Sequence, residues 1–270
     1  MTGKVSRRPT SSNPQPKTNL KNTTKIKLFW FIVKHNNLLK IVGIFGFKRS
    51  FAASKIDILV HKLLENKKNG FYVEIGANNG IDQSNTKYLE TYFGWKGLLI
   101  EPINSVFKDL VKNRSTKNCF YNVACVNFNY PKTTMLMSYA NLMSIGLEGE
   151  NFLSDPRSHS NEGASFLVER DYVQDVTVGV RTLNSILLEM RAPHEIDFFS
   201  LDVEGAELEV LKGIDFNIFS FKVICIEIFE PYVESMTLFL TEKNYTLIKK
   251  ITKHDYIFVN KNMMTKFKIT

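Results

Sequence analysis

The chain is predicted to be an α/β protein, a three-layer sandwich whose mostly parallel sheet ends in an antiparallel hairpin. Three observations predict it. From Ser54 onward, short apolar runs alternate with helix-length amphipathic stretches, the pattern of strands joined by crossover helices. A glycine loop, "GANNG", follows the first run directly, as in open sheets that bind ligands at their carboxyl edge. The last two runs, "YTLIKKI" and "YIFVN", are separated only by "TKHD", too short for a parallel crossover, so they must pair antiparallel.

Each element follows in turn. Ile56, Leu59, Val60, Leu63 and Leu64 share one helical face, and "NKKNG" stops that helix. The strand "FYVEI" leads through the glycine loop to a helix around 82–93. Then come the strand "GLLIEP", a helix near 104–113 and the apolar run "CFYNVACV". Regular alternation resumes with the strand "IDFFSLDVEG", a helix over 205–213, the strand "KVICIEIF", a helix near 231–243 and the hairpin. Residues 127–180 are polar and weakly periodic. A connection of that length in a compact domain is expected to be an insertion facing the substrate. No internal repeat is visible.

The net charge of +8 is unevenly placed: residues 1–50 hold eleven Lys or Arg and no Asp or Glu, so residues 51–270 carry 24 bases against 27 acids. The basicity belongs to the N-terminal segment, and no nucleic-acid partner is expected for the main domain. Residues 1–25 are expected to be a disordered basic tail. Residues 26–50 are basic and apolar, but their apolar runs, 28–33 and 41–47, are too short to span a bilayer, which takes about 20 residues. The segment is expected either to pack on the domain or to contact a membrane surface as an interfacial helix. The protein is therefore expected to be cytoplasmic, with peripheral membrane attachment left open. Residues 51–270 form the main domain. Cys119, Cys125 and Cys225 lack CxxC spacing and sit in strand-like runs, as reduced core residues do. The histidines form no HxxxH pair, so no metal site is expected.

The loop "VEIGANNGID" carries the binding chemistry. Gly76 permits a tight turn and Gly80 lets the next helix approach. A dinucleotide fingerprint would be GxGxxG, but Asn78 stands where the second glycine belongs, and its side chain would obstruct a pyrophosphate. Glu101 ends the second strand, where a carboxylate can accept hydrogen bonds from both ribose hydroxyls. A nucleoside without a diphosphate is implied, and S-adenosylmethionine meets both demands.

The stretches "FYVEIGANNGIDQSNTKYLE" and "WKGLLIEP", the Asn–Arg pair of "LVKNRS", and "DFFSLDVEGAELEVLKGIDF" together resemble the FkbM-type methyltransferases over about 70–260. That resemblance implies a class I, Rossmann-like fold and an S-adenosylmethionine-dependent O-methyltransferase acting on glycans or other polyhydroxylated small molecules. It also implies that Glu74 and Gly76 line the methionine end, with Glu74 near its ammonium. Asn78 and Gly80 would shape the same loop, Glu101 would take the ribose, and Asn122 and Ala124 would border the adenine. Family members often carry Asp where this chain has Glu74.

Asp202 and Glu204 end the fourth strand at the edge where ligands bind. An alcohol acceptor needs its proton removed as the bond forms, and Asp202 is the first candidate for base or acceptor anchor, with Glu204 as second acid. A divalent ion held by the pair is the lesser alternative. Glu207 is explained by the dipole of the helix that it opens. Glu227, Glu230 and His159 are candidates for the acceptor side. Two other functions compete: an NAD-dependent oxidoreductase on a related sheet, disfavoured by Asn78 and the lack of an obvious Tyr-x-x-x-Lys pair, and a non-catalytic membrane-recruited binding module, disfavoured by Glu101 and the Asp202–Glu204 pair.

Overall fold

The computed structural model describes residues 50–148, 155–167 and 172–263. The expectations for 1–25 and for 26–49 lie outside the described residues.

Among the described residues, eleven strands and seven α-helices follow in order. Helix α1 (Ile56–Leu63) precedes β1 (Phe71–Ile75), α2 (Lys87–Phe93), β2 (Lys96–Ile100), α3 (Asn104–Asn113), β3 (Cys119–Tyr121) and β4 (Ala124–Cys125). The middle of the chain supplies β5 (Thr134–Tyr139), β6 (Ile145–Gly146), α4 (Pro156–Glu162), β7 (Gln174–Arg181) and α5 (Leu183–Glu189). The last part holds β8 (Glu195–Leu201), α6 (Glu207–Leu211), β9 (Ser220–Glu227), α7 (Val233–Glu242), β10 (Tyr245–Lys250) and β11 (Asp255–Asn260).

The main sheet has the strand order β10-β11-β9-β8-β1-β2-β3. The pairs β9–β8, β8–β1, β1–β2 and β2–β3 are parallel. Strand β11 lies antiparallel to both β9 and β10. The closing hairpin is therefore present, with its second strand next to the parallel part. Successive strands leave β1 on one side and β8 on the other, so the gap between them is the topological switch point, where open sheets bind ligands.

The strands are apolar on both faces because helices cover both. Val73, Ile75, Leu98, Ile100, Phe199, Leu201, Ile224 and Ile226 face α5, α6 and α7 in one buried cluster. Their alternate neighbours Tyr72, Leu99, Phe198, Val223 and Cys225 face α1, α2 and α3 in the other. The period of two along each strand thus sorts residues between two cores. Cys125 and Cys225 are buried and Cys119 is half-buried, all unpaired. Among the described residues no helix is long and apolar enough to cross a membrane.

Residues 127–180 are not an irregular loop. They build β5, β6, α4 and most of β7, and with β4 form a second sheet of order β4-β7-β5-β6. This sheet packs Met135, Met137, Tyr139 and Val178 against Ile103, Val106, Ala124 and Val126. Two helices are shorter than their periodicity predicts. The helix expected from 82 begins at Lys87, because Ser84, Asn85 and Thr86 turn their donors onto a buried carboxylate. The helix expected from 205 begins at Glu207, because Glu204 (φ 55°) and Gly205 (φ 96°) are left-handed and break the turn before it.

Candidate active site

A cavity of about 350 Å³ opens at the switch point, within the range of small-ligand sites. Its floor comes from the carboxyl ends of β1, β2, β8 and β9, and its roof from the second sheet.

Gly76 holds the floor together. Its φ is 78°, and a Cβ there would lie 1.8 Å from the backbone oxygen of Asp202, so only glycine lets the β1 loop approach the end of β8. Asn78 follows, also left-handed, with its backbone N–H donating to Glu101 Oε2 at 3.0 Å. The N–H of Ile103 donates to Glu101 Oε1 at 2.9 Å. Both carboxylate oxygens are thereby fixed, and each keeps acceptor capacity for a hydroxyl. Burial raises the Glu101 carboxyl to about 7, against the lowering effect of those two N–H groups. Gly76, Asn78, Glu101 and Ala124 line the cavity together.

Glu74 touches the same cavity but its carboxylate is spent on protein. It accepts from Ser84 Oγ (3.0 Å), the Asn85 N–H (2.9 Å), Thr86 Oγ1 (2.5 Å) and Arg114 Nη1 (3.1 Å). With so many donors already on two oxygens, Glu74 shapes the cofactor loop and holds no surplus acceptor for a ligand ammonium. Gly80 lies outside the cavity: a Cβ there would strike Leu110 and Arg114, so it serves the packing of α3 beneath the loop. Asn122 is also outside it, donating through Nδ2 to the carbonyls of Glu101 (2.8 Å) and Pro102 (2.9 Å). It steadies the turn that carries Glu101. Glu230 sits away from the site, near Lys250 Nζ at 3.6 Å.

Asp202, Glu204, Glu227 and His159 do converge on the cavity. Carboxylate oxygens of Asp202, Glu204 and Glu227 lie within 4.8 Å of one another, close enough for a divalent ion to bridge. The structure relieves their repulsion in two other ways. Asp202 and Glu227 stand close enough that a proton kept on one of them relieves their repulsion. Burial, then repulsion from neighbouring acids, pushes both carboxyls far above their usual range. Asp202 is exposed to the cavity interior, so water there would soften the burial effect; repulsion from Glu204, Glu207 and Asp255 persists. Glu204 instead meets His159 Nε2 at 2.8 Å. That contact raises the His159 ring above its ordinary value, against the opposing effect of burial. Glu207 stands behind the cluster, fully buried, its Oε1 accepting from the N–H groups of Val203 (3.0 Å) and Gly205 (3.1 Å). Those bonds hold the left-handed turn that presents Glu204. The helix dipole alone had accounted for Glu207; the structure gives it this further task.

The roof was unreadable residue by residue. Tyr130, Met135, Met137, Leu142 and Met143 supply an apolar wall opposite the acids, with Phe229 beside His159. Alternation in "TMLMSY" was the one available signal. The roof is fastened to the floor on two sides, by Asn78 Nδ2 donating to Asn141 Oδ1 (3.2 Å) and by His159 meeting Glu204. Among the described residues no Lys or Arg lines the cavity.

Comparison with known proteins gives one family, described as the methyltransferase FkbM domain, which matches residues 74–247. No curated protein matches the chain. Among solved structures, the methyltransferase domain of METTL16 is similar at 12% identity and a TM-score of 0.42, covering 78% of this chain and 69% of that one. A precorrin-6y C5,15-methyltransferase from Geobacter metallireducens is similar at 11% identity and a TM-score of 0.36, covering 77% and 90%.

Proposed function

The chain belongs to the FkbM methyltransferase family and is an S-adenosylmethionine-dependent methyltransferase; we propose that its acceptor is a hydroxyl oxygen of a glycan or another polyhydroxylated small molecule. The observation that carries this reading is the charge of the cavity: carboxylates gather at the ends of β8 and β9 with no lysine or arginine among the described lining residues. Such a wall accepts hydrogen bonds from hydroxyls and repels phosphodiesters, which argues against a nucleic-acid acceptor.

The bound cofactor supplies the electrophilic methyl group on a cationic sulfur. The protein's residues do the rest. Glu101 accepts from the ribose hydroxyls with its two anchored oxygens. The Gly76–Asn78 loop passes close to the methionine end. The acids surround a cationic ligand in a site partly withdrawn from water, where such attraction is stronger than in bulk solvent. Asp202 meets the acceptor, as anchor or base, and Glu204 stands beside it. Holding an acceptor oxygen near 3 Å from the methyl carbon accounts for much of such a catalyst's effect.

Methyl labelling of a panel of free and glycosidic sugars, aminosugars and polyketide alcohols, with S-adenosyl-[methyl-³H]methionine, tests the proposal. Labelled ethers from hydroxyl acceptors are expected. Label found only on nitrogen or on nucleic acid would overturn it.

A further inference from the structure

We infer that His159, oriented by Glu204, is the general base that takes the acceptor's proton, leaving Asp202 and Glu227 to hold the acceptor. This rests on the hydroxyl-methylation reading above and assigns its proton.

Three observations bring the roles apart. First, Nε2 of His159 lies 2.8 Å from Glu204 Oε2. In the neutral ring, the nitrogen bonded to a carboxylate carries the hydrogen, so Nδ1 keeps its lone pair. Among the described residues Nδ1 makes no hydrogen bond. This is the arrangement by which a carboxylate sets the tautomer of a basic imidazole. Second, both partners are rigidly placed. Glu204 has a left-handed backbone (φ 55°) fixed from behind by Glu207, and strain of that kind in a cleft marks a functional constraint. Helix α4 is pinned by its buried Ser160, which meets Ser138 Oγ at 2.8 Å. It is also pinned by Gly163, where a Cβ would strike Met143 and Ala140. Third, the other acids are poor bases. Burial and mutual repulsion favour the protonated forms of the closely set Asp202 and Glu227, and Glu204 is engaged by the ring.

The charged groups around His159 are Glu204 after β8 and Glu162 on its own helix, with Asp202 and Glu227 beyond Glu204. The Phe229 ring meets it edge-on from beyond β9. Among the described residues the charges acting on the ring, Glu204 and Glu162, are negative and stabilise the imidazolium formed in the step. As the acceptor oxygen bonds the methyl carbon, the carbon–sulfur bond breaks and its electron pair passes to sulfur. The hydroxyl proton passes to Nδ1. A methyl ether, a neutral thioether and an imidazolium result, and charge balances.

The test uses the full chain and the variants His159→Gln and Glu204→Gln. By ¹⁵N NMR, the wild-type His159 ring is expected to be the Nε2–H tautomer and to titrate above the free imidazole range; in Glu204→Gln its pKa falls. His159→Gln should bind S-adenosylmethionine within about twofold of wild type, whereas Glu204→Gln, which removes one of the charges facing the cationic sulfur, should bind it more weakly. With the hydroxyl acceptor found by labelling, His159→Gln should lose about 10²–10⁴-fold in kcat. The acid limb of its pH–rate profile, in which rate falls as His159 protonates, should disappear. An Nδ1–H tautomer, or transfer kept within fivefold by His159→Gln, overturns the inference while leaving the methyltransferase reading intact. A wild-type chain that binds the cofactor but methylates no hydroxyl in the panel overturns the acceptor reading and this inference with it.

Discussion

Replacing Arg114 with methionine tests the charge network under the cofactor loop. The guanidinium is fully buried and donates through Nε to Glu90 (2.8 Å), through Nη1 to Glu74 (3.1 Å), and through Nη2 to Tyr72 Oη and Thr86 Oγ1 (both 2.8 Å). Lys87 Nζ completes the balance, 3.2 Å from Glu90 and itself buried. Two buried acids therefore face two buried bases. Removing Arg114 strands one negative charge, which costs about 3–5 kcal/mol when a buried pair is broken. The acid side gives a similar figure. Burial pushes Glu90 upward, but Arg114 and Lys87 more than reverse this and hold it at about 2 instead of 4.5. At about 1.4 kcal/mol per unit, that is on the order of 3 kcal/mol. Because the folded pKa is depressed, this stability is complete above about pH 4.5 and is lost as pH falls toward 2. For a domain of this size a loss of 3–5 kcal/mol lowers Tm by about 6–20 °C. Calorimetry at pH 7 and at pH 3.5 measures both terms: the variant should melt far below wild type at pH 7, and the gap should narrow at pH 3.5. A Tm within 2 °C of wild type at pH 7 would refute the reasoning.

The other predictions concern the cavity. Glu101→Gln should weaken S-adenosylmethionine binding by about 10–100-fold, since hydrogen bonds to a charged acceptor contribute about 1.5–3 kcal/mol. Wild-type affinity should rise as pH increases through about 7, where Glu101 ionises; titration calorimetry showing no such rise removes it from the ribose. In Gly76→Ala, left-handed strain and the contact with Asp202 should together cost about 2–5 kcal/mol and abolish cofactor binding. A thermal-shift profile like that of wild type would contradict this. Treatment with EDTA should change methyl transfer by less than twofold, because protonation of the raised carboxyls and the His159 contact relieve the acid cluster. Activity lost to EDTA and restored by Mg²⁺ would show that a cation does this instead.

What could be read in advance followed the range of the interactions involved. Helix α3 matches its expected span because Val106 and Leu110 repeat on one face, a purely local signal. Glu101 was legible for the same reason, since strand end and spacing define it. Glu74 was not. An acid at the end of an apolar strand looks like a ligand contact until its partner is known, and Arg114 stands 40 residues away. The second sheet was hidden by distance too: β5 pairs with β7 across the whole insertion, and β7 is half exposed, so neither strand has a strong pattern of its own. His159 was a candidate for the acceptor side, but what orients its ring was hidden, because Glu204 lies 45 residues further on.

The two groups of acids in this domain explain each other. Glu74 and Glu90 lie between β1 and α2 and are matched by Arg114 and Lys87, so they carry no net charge and serve the fold. Asp202, Glu204 and Glu227 lie at the open end of the same sheet, and among the described residues no lysine or arginine is placed with them. A chain able to neutralise one buried acid group so completely could have neutralised the other. Leaving the second group to raised carboxyls and one imidazole costs stability. That cost is offset only when something cationic arrives. The sulfonium of the cofactor arrives positive and leaves neutral, so these acids attract it before transfer and favour its departure after. On this account the unmatched charge at the ends of β8 and β9 makes product release easier than cofactor release. S-adenosylhomocysteine should therefore bind more weakly than S-adenosylmethionine, and the difference should shrink as salt rises. Equal affinities at low ionic strength would mean that the acids act on the acceptor alone.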